Sequence, residues 1–173
     1  TGVNESLVFN EPFPRAFMIK QNTNGGGTIT DDDSSGGFTL ATNGTANGRA
    51  MARLDGNCAQ FNFGRTGALR FRMQFSDAKQ CLARFGVNTD NYDNPQGTTK
   101  HFCLEIDNSG DTDSFWWISS SDGTVKTTLV TPNLPVTSNN TFRYVLVFVS
   151  GRRVELWVNG ILTSTKTNNI PSS

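Results

Sequence analysis

Few side chains in this sequence are of types that do chemistry, and their spacing says more than their number. His101 is the only histidine, so any nucleophilic triad would have to be built on it, and no Gly-x-Ser-x-Gly turn exists to hold an exposed serine. A lone histidine at the head of a strand-like run reads as structural. No Gly-x-x-x-x-Gly-Lys stretch occurs, and Gly25-Gly26-Gly27 leads into a strand signal rather than a helix, which removes a phosphate cradle. Asp31-Asp32-Asp33 and Asp111-x-Asp113 place carboxylates among loop carbonyls, the ligand set that calcium takes. Of these, Asp111 and Asp113 are the stronger metal candidates because they precede a tryptophan-bearing strand. No other cofactor is expected.

Trp116, Trp117 and Trp157 are the candidates for contact with a carbohydrate or a partner, since a flat indole stacks on a sugar ring or anchors an interface. Alternation groups Trp117 with Phe115 and Trp116 with Ile118, so at most one of the adjacent pair points outward. Trp157 lies beside Glu155, on the more polar face of its strand. Packing in the core is the competing role for each of the three.

Cys58, Cys81 and Cys103 cannot all pair within one chain, and their spacing matches no zinc pattern. Cys81 and Cys103 sit in strand-like runs and read as buried free thiols, which fits folding in a reducing cytoplasm. The 15 basic and 15 acidic residues balance, leaving no long-range field to draw nucleic acid or an anionic membrane surface. No apolar run approaches the roughly 18 residues of a membrane helix, and residues 1–10 lack the pattern of a secretion signal. Neither a nucleic acid partner nor membrane insertion is expected.

The 173 residues that must position these side chains suit one domain with one core. Thirteen Phe, 17 Gly and abundant Asn, Ser and Thr form a strand-and-turn vocabulary. Period-2 alternation sends Leu69, Phe71, Met73 and Phe75 to one face and Arg70 and Arg72 to the other. Residues 80–87 form a strand with Arg84 opposite Cys81, Ala83, Phe85 and Val87. His101, Cys103, Glu105 and Asp107 alternate with Phe102, Leu104 and Ile106. Further strands are read at 115–119, 124–130, 142–150, 154–158 and 161–167, with a turn at Ser121-Asp122-Gly123 and a hairpin signal at Asn159-Gly160. FRYVLVFVS over 142–150, apolar on both faces, is expected to be a central strand covered on both sides. In residues 1–68 only short strands at 28–30 and 38–42 are legible. No helical period runs through the chain, and turns recur about every ten residues, as in a sandwich or barrel.

From Leu69 to about Pro171 the order FCLEIDNSG, SFWWISSSDG, TVKTTLV, FRYVLVFVSG, RRVELWVNGILTSTKTNNIP resembles the concanavalin A-like lectin/glucanase superfamily, above all its laminin G-like and phage virion-fibre versions. The resemblance implies an all-β, two-sheet antiparallel jelly-roll sandwich over 1–173, with 69–171 as the family-like core. Laminin G-like and legume-lectin relatives bind calcium near loops such as the one holding Asp111 and Asp113. Laminarinase-like relatives use Glu-x-Asp-x-x-Glu on a strand. Here Glu105-Ile106-Asp107 is followed by Gly110, which leaves no second carboxylate for a retaining mechanism. No catalytic residues are therefore expected, and Glu105 and Asp107 are expected to pair across a sheet with arginines such as Arg70 and Arg72. Relatives usually run past Asn-Ile-Pro into one more strand, a place that the natural chain running on, the N-terminal segment or a neighbouring subunit would fill.

The expected function is that of a non-enzymatic virion or surface module: a phage-type decoration protein, tail fibre or receptor-binding protein. It would work as a homo-oligomer or with other virion proteins. The alternative is a lectin-like module for cell-surface glycans, with a glycoside hydrolase or lyase less favoured.

Overall fold

The computed structural model describes residues 18–23, 28–32, 37–41, 49–54, 61–75, 82–89, 99–107, 115–135 and 138–173, and every regular element among them is a strand. The chain divides into two compact units, Thr1–Phe61 and Asn62–Ser173. In the first, β1 (Met18–Thr23) pairs antiparallel with β4 (Arg49–Leu54), and β2 (Thr28–Asp32) with β3 (Gly37–Ala41). Thr28–Asp32 and Gly37–Ala41 fall where sequence patterning places short strands. β1 and β4 carry no clear alternation and are not legible from it.

The second unit is a β-sandwich. One four-stranded antiparallel sheet runs in the order β12 (Ile161–Lys166), β11 (Arg153–Val158), β10 (Ser138–Val149), β5 (Gly67–Phe75). The other runs β6 (Leu82–Asn88), β7 (His101–Asp107), β8 (Phe115–Ser121), β9 (Lys126–Pro135). Two antiparallel sheets packed face to face match the expected all-β sandwich and are compatible with a jelly roll.

Alternation decides which side chains meet between the sheets. Tyr144, Leu146, Phe148, Val154 and Leu156 come from one sheet, and Phe102, Leu104, Ile106, Trp116 and Ile118 from the other; all are buried. Each fully buried apolar side chain of this size contributes about 1.5–3 kcal/mol. Rings bridge the layers. Phe148 stacks on Phe102 with centroids 4.8 Å apart, and Phe63 meets both edge-on at 5.7 and 6.3 Å. Phe71 stacks on Phe85 across the gap and on Tyr144 within its own sheet.

Phe142 to Val149 does form the central part of β10, between β5 and β11, but it is not covered on both sides. Val145, Val147 and Val149 on its outer face are only half-buried. The hairpin between β11 and β12 turns at Asn159 and Gly160, whose φ angles of 51° and 85° are the pair that a type I′ turn demands and that Asn-Gly supplies. Gly86 answers a different need. A Cβ there would run into the carbonyl oxygen of Phe102 and the Cβ of Cys103, so β6 approaches β7 this closely only with glycine.

After β12 the chain leaves the sheet and crosses one end of the sandwich. The carbonyl of Asn168 accepts from Lys166 Nζ at 2.5 Å and from Ser120 Oγ at 3.1 Å. Asn169 Nδ2 donates to Val125 O, Gly151 N donates to Pro171 O at 2.9 Å, and Ile170 is buried. Lys166 itself is buried, and its ammonium donates to Thr127 Oγ1 of the opposite sheet at 2.6 Å. Both sheets are thus fastened together beside their β12 and β9 edges.

Candidate functional site

The outer face of the β6–β9 sheet gathers most of the chemistry-bearing side chains. Period-2 alternation along β7 sends Phe102, Leu104 and Ile106 inward and leaves His101, Cys103 and Glu105 on the other face. There the register sets Arg84 of β6 and Trp117 of β8 on either side of Glu105, Gly86 and Ser119 beside Cys103, and Asn88 and Ser121 beside His101. Lys126 opens β9 opposite Ser121.

Glu105 lies at the centre and is 2% exposed. Lys126 Nζ lies 2.7 Å from Oε1 and Arg84 Nε lies 3.2 Å from Oε2. Burial by itself would raise the carboxyl pKa, but the hydrogen bond from Lys126 and the charge and hydrogen bond of Arg84 outweigh it and hold Glu105 below the usual range. The group is therefore an anion clamped by two cations. The partners differ from those read off the sequence, because β5, which bears Arg70 and Arg72, pairs with β10 in the other sheet.

His101 is fully buried. Its Nδ1 lies 2.9 Å from the Thr99 carbonyl and its Nε2 3.1 Å from Ser119 Oγ. The carbonyl can only accept, so Nδ1 carries the proton and Nε2 accepts from the hydroxyl. Burial lowers the imidazole pKa, which keeps the ring neutral and structural. Cys103 is a buried free thiol, and burial followed by the nearby Glu105 charge pushes its pKa up to about 12. Such a thiol is inert. Iodoacetamide at mildly alkaline pH should leave Cys103 unmodified in the native protein and alkylate it fully after denaturation, as read by peptide mass mapping.

The three tryptophans do not converge. Trp116 lies in the core, 1% exposed, with its ring at an angle to Phe85, and it offers no surface to a ligand. Thr131 Oγ1 bonds its carbonyl where the β8–β9 register slips. Trp117 projects from the outer face beside Glu105 and is half-buried. Trp157 projects from the outer face of the other sheet, its indole N–H donating to Glu155 Oε2 at 3.1 Å. Arg153 Nε, 2.6 Å from Glu155 Oε1, and that N–H keep the Glu155 carboxyl below its usual range.

Asp111, Asp113, Cys58, Cys81 and Gly110 lie outside the described residues, as does Asp33. Among the described residues no group of three metal-ligating side chains converges, and no helix is long and apolar enough to cross a membrane. Arg84, Lys126 and Ser119 are the site members that sequence reasoning missed. Only the placement of Arg84 on the row opposite Phe85 hinted at them.

No protein-family profile and no curated protein sequence matches the chain. Among solved structures, the binding domain of Paraclostridial Mosquitocidal Protein 1 is similar, at 14% identity and a TM-score of 0.53. The match covers 89% of this chain and 37% of that one, so the chain spans little more than a third of its structural neighbour. At this identity the likeness is one of fold.

Proposed function

We propose that the chain is a non-enzymatic binding module of the concanavalin A-like jelly-roll kind, serving as a structural or adhesive part of a virion or cell surface. The observation that carries this is Glu105. The carboxylate that matches the first Glu of the laminarinase-like Glu-x-Asp-x-x-Glu pattern is clamped by Lys126 and Arg84. A general acid must hold a proton near neutral pH, and a nucleophile must be free to attack; a buried, doubly paired anion does neither. His101 and Cys103 are likewise spent on structure. The ending ILTSTKTNNIP and its resemblance to phage tail domains support a decoration, fibre or receptor-binding role in an oligomer, folded in a reducing cytoplasm before assembly. That the structural neighbour is itself a binding domain fits the reading.

A second reading, a lectin-like module for cell-surface glycans, is favoured by Trp117 and Trp157, neither of which is spent in the core between the sheets and both of which keep part of their surface accessible. Purified chain incubated with a panel of polysaccharides should release no reducing ends while forming an oligomer by light scattering or retaining glycan. Sugar release that Glu105→Gln abolishes would overturn the non-enzymatic reading. A monomer that binds neither glycans nor its own copies would overturn the binding reading.

A further inference from the structure

Among the described residues, the outer face of the β12–β11–β10–β5 sheet carries positive charge without a partner. Register places Arg72 of β5 directly opposite Arg143 of β10, and Arg70 opposite Val145. All three arginines are exposed. Among the described residues no ion pair or side-chain hydrogen bond engages their guanidinium groups, whereas Arg84 and Arg153 each hold a carboxylate. Like charges directly opposite on a sheet oppose pairing, so an anion seated between Arg72 and Arg143 would relieve a repulsion built into the fold.

The same face has an aromatic platform. Val145 pairs with Trp157 on its other side, so Arg70, Val145 and Trp157 form one row across three strands. Two strand spacings of about 4.8 Å put roughly 10 Å between Arg70 and Trp157. The register slips between Leu156 and Trp157, a kind of irregularity that re-aims side chains at functional positions. Glu155 is the acidic side chain beside Trp157 and is neutralised by Arg153, so it adds little repulsion toward an acidic ligand.

We propose that this face binds an acidic oligosaccharide, its carboxylate or sulfate groups on Arg70, Arg72 and Arg143 and a sugar ring against Trp157. The planar guanidinium forks match both acid groups bidentately, and the indole supplies the apolar face that a pyranose ring needs. The span from Arg70 to Trp157 calls for more than one sugar unit. A nucleic acid fits less well. Single-stranded binders stack successive bases on several aromatics along a basic groove, and here there is one indole on a chain of zero net charge.

The inference rests on the binding-module reading and names its ligand class. The full chain is tested by surface plasmon resonance against heparin for sulfate, polysialic acid for carboxylate, neutral dextran, and an oligothymidylate. Binding to heparin, polysialic acid or both is expected, weakening as salt rises. Because the three arginines are exposed and two of them repel each other, R70S/R72S/R143S should keep or slightly raise the melting temperature and lose roughly tenfold or more in affinity. Trp157→Ala should weaken binding with little change in salt slope. Acidic glycans bound no better than dextran, an unchanged triple variant, or equal binding to oligothymidylate would each overturn the proposal. If the wild type assembles or binds neutral glycan but shows no preference for the acidic ones, the acidic-glycan site falls while the binding module stands. Loss of assembly and of all glycan binding in the wild type removes the module reading itself.

Discussion

Phe148→Ala should destabilise the sandwich by about 4 kcal/mol, the largest effect of any single truncation considered. Phe148 is fully buried, lies parallel to Phe102 at 4.8 Å and takes the edge of Phe63 at 5.7 Å. Its removal leaves a cavity between the two sheets where three rings now meet, and neither backbone can close it without breaking a ladder. Urea unfolding followed by fluorescence should show a lower midpoint with an unchanged slope. Val147→Ala, one residue away on the outer face, should cost far less. A larger loss for Val147→Ala than for Phe148→Ala would mean that β10 buries its other face.

Glu105→Ala should cost about 3 kcal/mol, the lower end for breaking a buried ion pair, because Arg84 and Lys126 keep some access to water. What is lost is not the attraction alone; two cations remain side by side on a sheet face with their shared anion gone. Replacing all three by apolar residues of similar size, as in R84M/E105L/K126M, should recover most of the loss. The pH dependence has a definite sign. Glu105 has a folded pKa below the ordinary glutamate value, so its contribution is complete above that value and disappears as pH falls through the folded pKa. His101, lowered from 6.5, acts in the same direction: the unfolded chain takes up its proton first, so stability begins to fall as pH drops below 6.5. Wild-type stability should therefore decline in two stages on acidification, and Glu105→Ala should flatten the lower one. A variant with the wild-type acid profile would show that the clamp does not stabilise the fold.

The sandwich was legible because β-strands write burial into alternate residues. His101–Asp107, with Phe102, Leu104 and Ile106 on one row, needs no structure to assign, and Asn159-Gly160 announces its own turn. Partners were not legible. Alternation tells which row a side chain joins but not which strand lies beside it, so it points Glu105 toward arginines on β5 when the adjacent strands are β6 and β8. Strand ends also differ from the sequence pattern where backbone pairing overrides composition. β9 continues past Val130 to Pro135, since an edge strand tolerates proline whose missing N–H faces outward. The outer face of β10 looked apolar enough for a second covering layer, yet three valines there are half-buried with an arginine at their head. The opposed pair Arg72 and Arg143 could not be foreseen from two positions so far apart in the chain.

The crossing segment after β12 has a kinetic meaning. Its carbonyls take bonds from the β8–β9 hairpin and from the β10–β11 turn, and β5 must wait for β10 before it has a neighbour. Pairings this distant in sequence raise the entropy of reaching the transition state and slow folding. During synthesis the inner rows of β5 to β8 leave the ribosome long before residues 168–171 arrive to fasten the two sheets. Until then the Phe102 and Phe148 layers have no lasting closure. This interval is when chaperone capture, or mispairing with another nascent copy, has its best opportunity.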